Sequence, residues 1–239
     1  MSFAAGLRQA LDLRQADVVG ELRRGDNLED ILDKHLRTVE GMSDREILTS
    51  VLLLSPDRKH LTHGAAPSLP QSYREAIDGS EIGPSAGSCG TAAYLGRPVY
   101  VTDIATDPLW AAYRDLALPH GLLSCWSTPI RHDEGEVLGT FAIYNRSLSG
   151  PTREELAAIE IITDKVARAI TFARNPNAMA ASDVLPRQVT ALQALANAIQ
   201  QQAFVLGAEG EEAIDAVMKG SERLAELVRG RLAEPGEID

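Results

Sequence analysis

Apolar residues recur along this chain at two alternating spacings, three-to-four and two, and the switches between them outline its elements. Leu7, Leu11, Val18 and Leu22 fall on one stripe at helical period, broken by Arg14, and Gly25 closes the segment. The pattern predicts a helix over Phe3–Arg24. A stripe so narrow suits helix–helix contact, so residues 1–25 are expected to form a dimerisation helix. Asp26, with Glu29 three residues on, has the form of a capping box. Leu28, Ile31, Leu32, Leu36 and Val39 then carry a second helix to about Glu40. His35 lies on or beside that stripe; with no second ligand type near it, it reads as a packed histidine. From Glu46 to Leu54 the chain is dominated by Ile, Val and Leu and is bounded by Pro56-Asp57, which predicts a strand and a turn. Lys59–Ala65 is the second arm of that hairpin, and a short helix runs from Gln71 to Asp78, with Tyr73 and Ile77 inward.

The stretch from Ile82 to Tyr144 sets the character of the chain. Gly83 to Gly87 is a flexible loop, and Ser88 is placed to cap a helix running to Leu95, with Gly96 ending it. Gly90, Ala92 and Ala93 let that helix lie close to a neighbour. Pro98–Asp103 alternates as a strand. Asp107 caps and Pro108 opens a further helix carrying Trp110, Tyr113 and Leu116 to about Leu118. Gly121–Ile130 is a strand with Leu123, Cys125 and Ser127 on one face and Ser124, Trp126 and Thr128 on the other. A turn at Asp133-Glu134-Gly135 returns the chain into Val137–Tyr144.

Thr152 with Glu155 is a second capping box, heading a long helix with Leu156, Ile159, Ile162, Val166 and Ile170 on its stripe. Asn175-Pro176-Asn177 opens a linker over 175–184. Beyond it, Leu185, Val189, Leu192, Ala196, Ile199, Ala203 and Leu206 alternate steps of four and three, a heptad seam. With Ile214–Leu232 it predicts a helical hairpin over 185–239 that cannot bury its stripe alone.

This order implies an α+β fold over 26–174: an antiparallel-rich sheet with helices on both faces, flanked by the N-terminal helix and the C-terminal hairpin. Long helices, Leu28–Val39 and Leu156–Ile170, meet one face. Short capped segments, Ser88–Leu95 and Asp107–Leu118, cover the other and leave a hollow. Helix N-termini at Ser88 and Asp107 can aim backbone N–H groups into it, which favours a carbonyl or a small anion.

Composition narrows the function. A formal net charge of −11 and a pI near 4.9 disfavour binding to a phosphate backbone, so no nucleic acid is expected as a partner. No apolar run approaches the roughly 18–20 residues that span a bilayer, and the N-terminus lacks a secretory pattern, so no membrane partner and a cytoplasmic location are expected. Two cysteines make neither a disulfide framework nor a zinc site.

The blocks IGPSAGSCGTAAY, VTDIATDPLWAAYRDLAL, GLLSCWSTPI and VLGTFAIY together resemble the GAF domain, in the subtype found before bacterial histidine kinases and diguanylate cyclases. The likeness runs from about Asp26 to Phe172. It implies a bacterial sensory module that binds a small molecule, is dimeric through flanking helices, and carries out no reaction. Since no output block comes after the linker, a separate partner such as a histidine kinase is expected to read its state. Candidate ligand-binding residues are Ser88, Cys89, Asp103, Trp110, Tyr113, Cys125 and Ser127; no cofactor and no metal are expected.

Each candidate has a plainer role open to it. Cys89, at a helix N-terminus, is either a reactive thiol or a small hydrophobe at a tight turn. Cys125 is core or pocket. Asp103 either lines a site or caps a turn, and Trp110 either stacks on a ligand or fills the core. The enzyme alternative is a free methionine-(R)-sulfoxide reductase, whose G-x-C-G segment looks like Gly87-Ser88-Cys89-Gly90. That family uses three cysteines, and this chain has two. Cyclic-nucleotide and bilin signatures are absent, and His120 and His132 sit near turns rather than as haem ligands. A third possibility is an assembly adaptor without ligand.

Overall fold

The computed structural model describes residues 3–132 and 135–175. Helix α1 (Phe3–Arg24) and helix α2 (Leu28–Met42) precede a hairpin of β1 (Ile47–Leu54) and β2 (His60–Ala65). Helix α3 (Gln71–Ile77), the two-residue β3 (Ser80–Glu81), helix α4 (Gly87–Leu95) and β4 (Val99–Val101) come next. A 3₁₀ turn (Pro108–Trp110), the four-residue α5 (Arg114–Ala117) and a second 3₁₀ turn (Leu118–His120) lead into β5 (Ser124–Arg131) and β6 (Val137–Asn145). Helix α6 (Arg153–Arg174) closes the described region. The hairpin expected over 185–239, and its linker after Asn175, lie outside the described residues.

The strands form one sheet in the order β3-β2-β1-β6-β5-β4, every neighbouring pair antiparallel. The α+β architecture expected from the element order is therefore the observed one. Alternation along the central strands separates two cores. On the back face, Val51, Trp126, Phe141 and Ile143 pack under Ile31, Leu32 and Leu36 of α2 and Ile159, Ile162 and Val166 of α6. On the front face, Leu48, Leu52, Cys125, Ala142 and Tyr144 pack under Tyr73 of α3, Cys89 and Ala92 of α4 and Trp110.

Local chemistry explains the element ends. At α6 the capping box is reciprocal: Glu155 N–H donates to Thr152 Oγ1 (3.3 Å) and Thr152 N–H to Glu155 Oε2 (2.7 Å). At α2 the cap is Asn27, whose Oδ1 accepts from Asp30 N–H at 2.8 Å, not the expected Asp26. Helix α4 begins at Gly87, so Ser88 lies inside it rather than capping it. Asp107 does cap, accepting from Leu109 N–H at 2.8 Å, but two 3₁₀ turns flanking α5 take the place of the one expected helix. Pro108 stands at the first position of its 3₁₀ turn, where the missing N–H leaves no bond unmade.

The stripe of α1 joins the back-face core. Leu7, Leu11 and Val18 are fully buried against α2 and α6 of the same chain. Arg14, which interrupts the stripe, pairs with buried Glu21, which also accepts from Lys34 at 2.7 Å; Lys165 of α6 reaches Asp12 at 2.5 Å. His35 is packed, 1% exposed, with Nδ1 3.0 Å from the Ile31 carbonyl.

Candidate functional site

Helix α4 is the roof of the site, and its small residues set how low it sits. A Cβ on Gly90 would stand 2.6 Å from the Ala86 Cβ, so only glycine lets the preceding loop fold against the helix start. Ala92, fully buried, and Ala93 face β5 and β6. Ser88 is a pin: its hydroxyl donates to the Cys125 carbonyl at 3.0 Å and accepts from Trp110 Nε1 at 3.1 Å. One side chain therefore ties α4 to β5 and to the 3₁₀ turn.

Beneath α4 lies a cavity of about 30 Å³, room for one or two water-sized molecules. Ser88, Cys89, Trp110, Tyr113, Tyr73 and Tyr144 are among its lining residues. Tyr73 and Tyr144 meet edge to face, with centroids 5.8 Å apart. The structure thus brings Ser88, Cys89, Trp110 and Tyr113 together around one space, with Cys125 and Ser127 in the sheet below Cys89. Asp103 is elsewhere. Its carboxylate accepts from Ala105 N–H (3.0 Å) and Thr106 Oγ1 (2.7 Å), closing a turn, and it does not line the cavity.

The sheet under the cavity carries an unusual polar row. Ser50 and Ser127 both pair with Ala142 from opposite sides, and Thr140 and Tyr144 lie two residues either way along β6. All share the front face. The hydroxyls of Ser50, Ser127 and Thr140 are buried without a partner of ordinary geometry, and they are the only Ser or Thr hydroxyls among the described residues in that state. An unmatched buried hydroxyl costs about 1–3 kcal/mol, so three on one face call for a reason.

Cys89 supplies one. The Cys125 thiol hydrogen-bonds to it and draws its pKa down; burial opposes, and the hydroxyls of Ser127, Tyr144 and Thr140 add to the lowering, which brings it from 9.0 to about 7. Its Sγ stands 3.8 Å from the Tyr144 hydroxyl. Cys125 is pushed well up by burial and by Cys89 beside it. Burial likewise raises Tyr73 and Tyr144. One negative charge therefore fits here, on the Cys89 sulfur at the first turn of α4, while its neighbours keep their protons and donate. Ser50, Thr140, Tyr73 and Tyr144 were absent from the sequence candidates. Their signal was a polar group at inward positions of apolar strands: Ser50 between Leu48 and Leu52, and Thr140 and Tyr144 around Ala142.

A larger hollow of about 370 Å³ opens on the back face, lined by Val39, Arg45, Trp126, Glu155 and Ile162 among others. Three of its polar side chains are already engaged. Arg45 lies 5.6 Å over the Trp126 ring and pairs with Glu155, and Trp126 Nε1 donates to the Ser149 carbonyl at 2.7 Å. The unmatched hydroxyls of Ser50, Ser127 and Thr140 lie instead on the front face of the sheet. No group of three or more His, Cys, Asp or Glu among the described residues could hold a metal ion. No described helix is long and apolar enough to cross a membrane.

The layered α+β unit, with its roofed hollow on one sheet face, is a recognisable domain class. A profile of the GAF domain matches residues 25–171, well over half of the 239, and the chain belongs to the GAF-domain family. A methyl sulfide methyltransferase-associated sensor of Methanosarcina acetivorans is 38% identical over 151 residues; the match covers 63% of this chain and 15% of that protein's length. Two solved structures share the fold. A GAF sensor protein from Burkholderia vietnamiensis is 18% identical, with a TM-score of 0.56 over 72% of this chain and 99% of that one. The free methionine-R-sulfoxide reductase from Neisseria meningitidis, in complex with its substrate, is 17% identical, with a TM-score of 0.56 over 74% of this chain and 95% of that one.

Proposed function

We propose that this chain is a non-catalytic GAF sensor of a signal-transduction system. A small molecule or small anion is received in the front-face cavity, and its presence biases the helices α1 and α6. The observation that carries this reading is the hollow whose roof, at Ser88 of α4, is tied to both the sheet and Trp110. A guest that favours one placement of α4 over another shifts the populations of both, which is all that signalling requires. The relative from Methanosarcina acetivorans, a sensor by name, supports the same class. The reading includes a homodimer and a separate output partner such as a histidine kinase. Native mass spectrometry of the purified chain, with thermal melts against small-molecule and anion panels, tests it. A bound guest or a raised melting temperature is expected, and the shift should vanish in Ser88→Ala; a cavity that accepts nothing contradicts it.

The reductase reading has one specific support, the pairing of Cys89 with Cys125 beneath α4. Turnover of free methionine-(R)-sulfoxide with a thiol reductant, abolished by Cys89→Ser, would establish it in place of the sensor.

A further inference from the structure

We propose that the molecule sensed in the front-face cavity is a small peroxide, that Cys89 is the residue it oxidises, and that Cys125 closes a disulfide. This deepens the sensor reading and rests on it. Size comes first. The cavity has room for about one or two water-sized groups, about 30 Å³, which suits a two-oxygen molecule. Chemistry comes second. Cys89 lines that cavity, and Cys125, whose carbonyl accepts from the neighbouring Ser88 at 3.0 Å, lies in the same buried cluster. The apolar remainder, with Leu52, Leu61 and Ile77, holds no base or metal that would suit a charged guest.

Third, the polar row beneath is built for an anion at sulfur. Ser127 and Thr140 are fully buried and have no ordinary partner, yet both reach Cys89. A neutral thiol is a weak acceptor and leaves them unmatched, whereas a thiolate accepts from both, and from Tyr144. The lowered Cys89 pKa agrees with this arrangement.

The chemistry balances. The Cys89 thiolate attacks one peroxide oxygen, the O–O bond breaks, and an S–O bond forms. The leaving hydroxide or alkoxide takes up a proton, leaving water or an alcohol and a sulfenic acid at Cys89. The Cys125 sulfur then attacks Cys89, an S–S bond forms, the S–O bond breaks, and the departing hydroxide leaves as water with the Cys125 proton. The peroxide is reduced by two electrons and the thiol pair is oxidised by two. Closing the bond brings the sulfurs to about 2.05 Å, shorter than any non-bonded contact. It must therefore shift α4 against β5, at the point where Ser88 pins both.

The test treats the full reduced chain with hydrogen peroxide near pH 7 and maps its peptides. A Cys89–Cys125 disulfide is expected, reversed by dithiothreitol and formed about tenfold faster than oxidation of glutathione, with a rate that rises through about pH 7. In Cys125→Ser a dimedone adduct should appear at Cys89; in Cys89→Ser, Cys125 should stay reduced. Should either variant fail to fold, the rate and pH profile of the unmodified chain decide. Cys89 remaining reduced under a dose that consumes glutathione overturns the proposal, as does a sulfenic acid first seen at Cys125. Amide exchange separates the two readings. A disulfide that leaves α1 and α6 unchanged keeps the redox pair and removes the sensor, and an inert Cys89 beside a guest that raises the melting temperature does the reverse.

Discussion

The two faces of the sheet solve the same burial problem in different ways. Behind the sheet, long amphipathic helices cover the strands with large apolar side chains, and Thr49 has both its N–H and its hydroxyl on Glu40 Oε1, at 2.7 and 2.8 Å. In front, short helices and 3₁₀ turns cover strands that carry Ser50, Ser127 and Thr140 without partners, over two thiols and a small cavity. A face optimised only for stability would not keep that row. The difference separates structural work from chemical work across a single sheet.

The sharpest way to break the comparison uses adjacent residues of β6. Phe141→Ala, on the back face, should cost about 3–5 kcal/mol in urea unfolding, as large buried truncations do. Thr140→Val, one residue away on the front, removes an unmatched hydroxyl at nearly constant volume, and should be neutral or stabilising by about 1 kcal/mol. Equal losses at the two would erase the distinction.

A second contrast is in pH. Burial holds the pKa of His35, on the back-face helix α2, below its usual 6.5, opposed by its bond to the Ile31 carbonyl, with Arg14, Glu21 and Lys165 facing it. The unfolded chain therefore binds a proton near pH 6.5 before the folded one does. Stability is kept above that value and is lost as pH falls through the lowered folded value, by at most about 1.4 kcal/mol per pH unit. Melts of His35→Leu should lose that acid slope. A smaller effect belongs to Trp110→Phe, which removes the Nε1 bond to Ser88 and should cost about 1 kcal/mol. Its mark would be faster amide exchange in α4, with α6 unchanged.

How much of this could be read from residues alone depended on the face. The back face was legible because its signal is periodic. The stripes of α2 and α6, and the reciprocal box of Thr152 and Glu155, appear in the fold as the spacing predicts. The front face is made of short elements, where one proline or one hydrogen bond outweighs propensity. Asp107–Leu118 divides into a 3₁₀ turn and the four-residue α5, and Ser88 bonds across to Cys125 rather than to its own helix end. Ser88, Cys89, Trp110 and Tyr113 share one cavity, yet Asp103 satisfies its own turn, and the Ser50–Thr140 row depends on strand register that no local pattern carries.

The central claim is that the front-face hydroxyls exist to hold a negative charge on Cys89. Thiolate absorbance near 240 nm, followed from about pH 5 to 10 in the reduced chain, tests it directly, with Cys89→Ser as the blank. A single transition near pH 7 is predicted, moving upward in the Ser127→Ala/Thr140→Val double variant. A chain whose thiols ionise only above about pH 8.5, the ordinary cysteine value, or whose transition ignores the double variant, would contradict it.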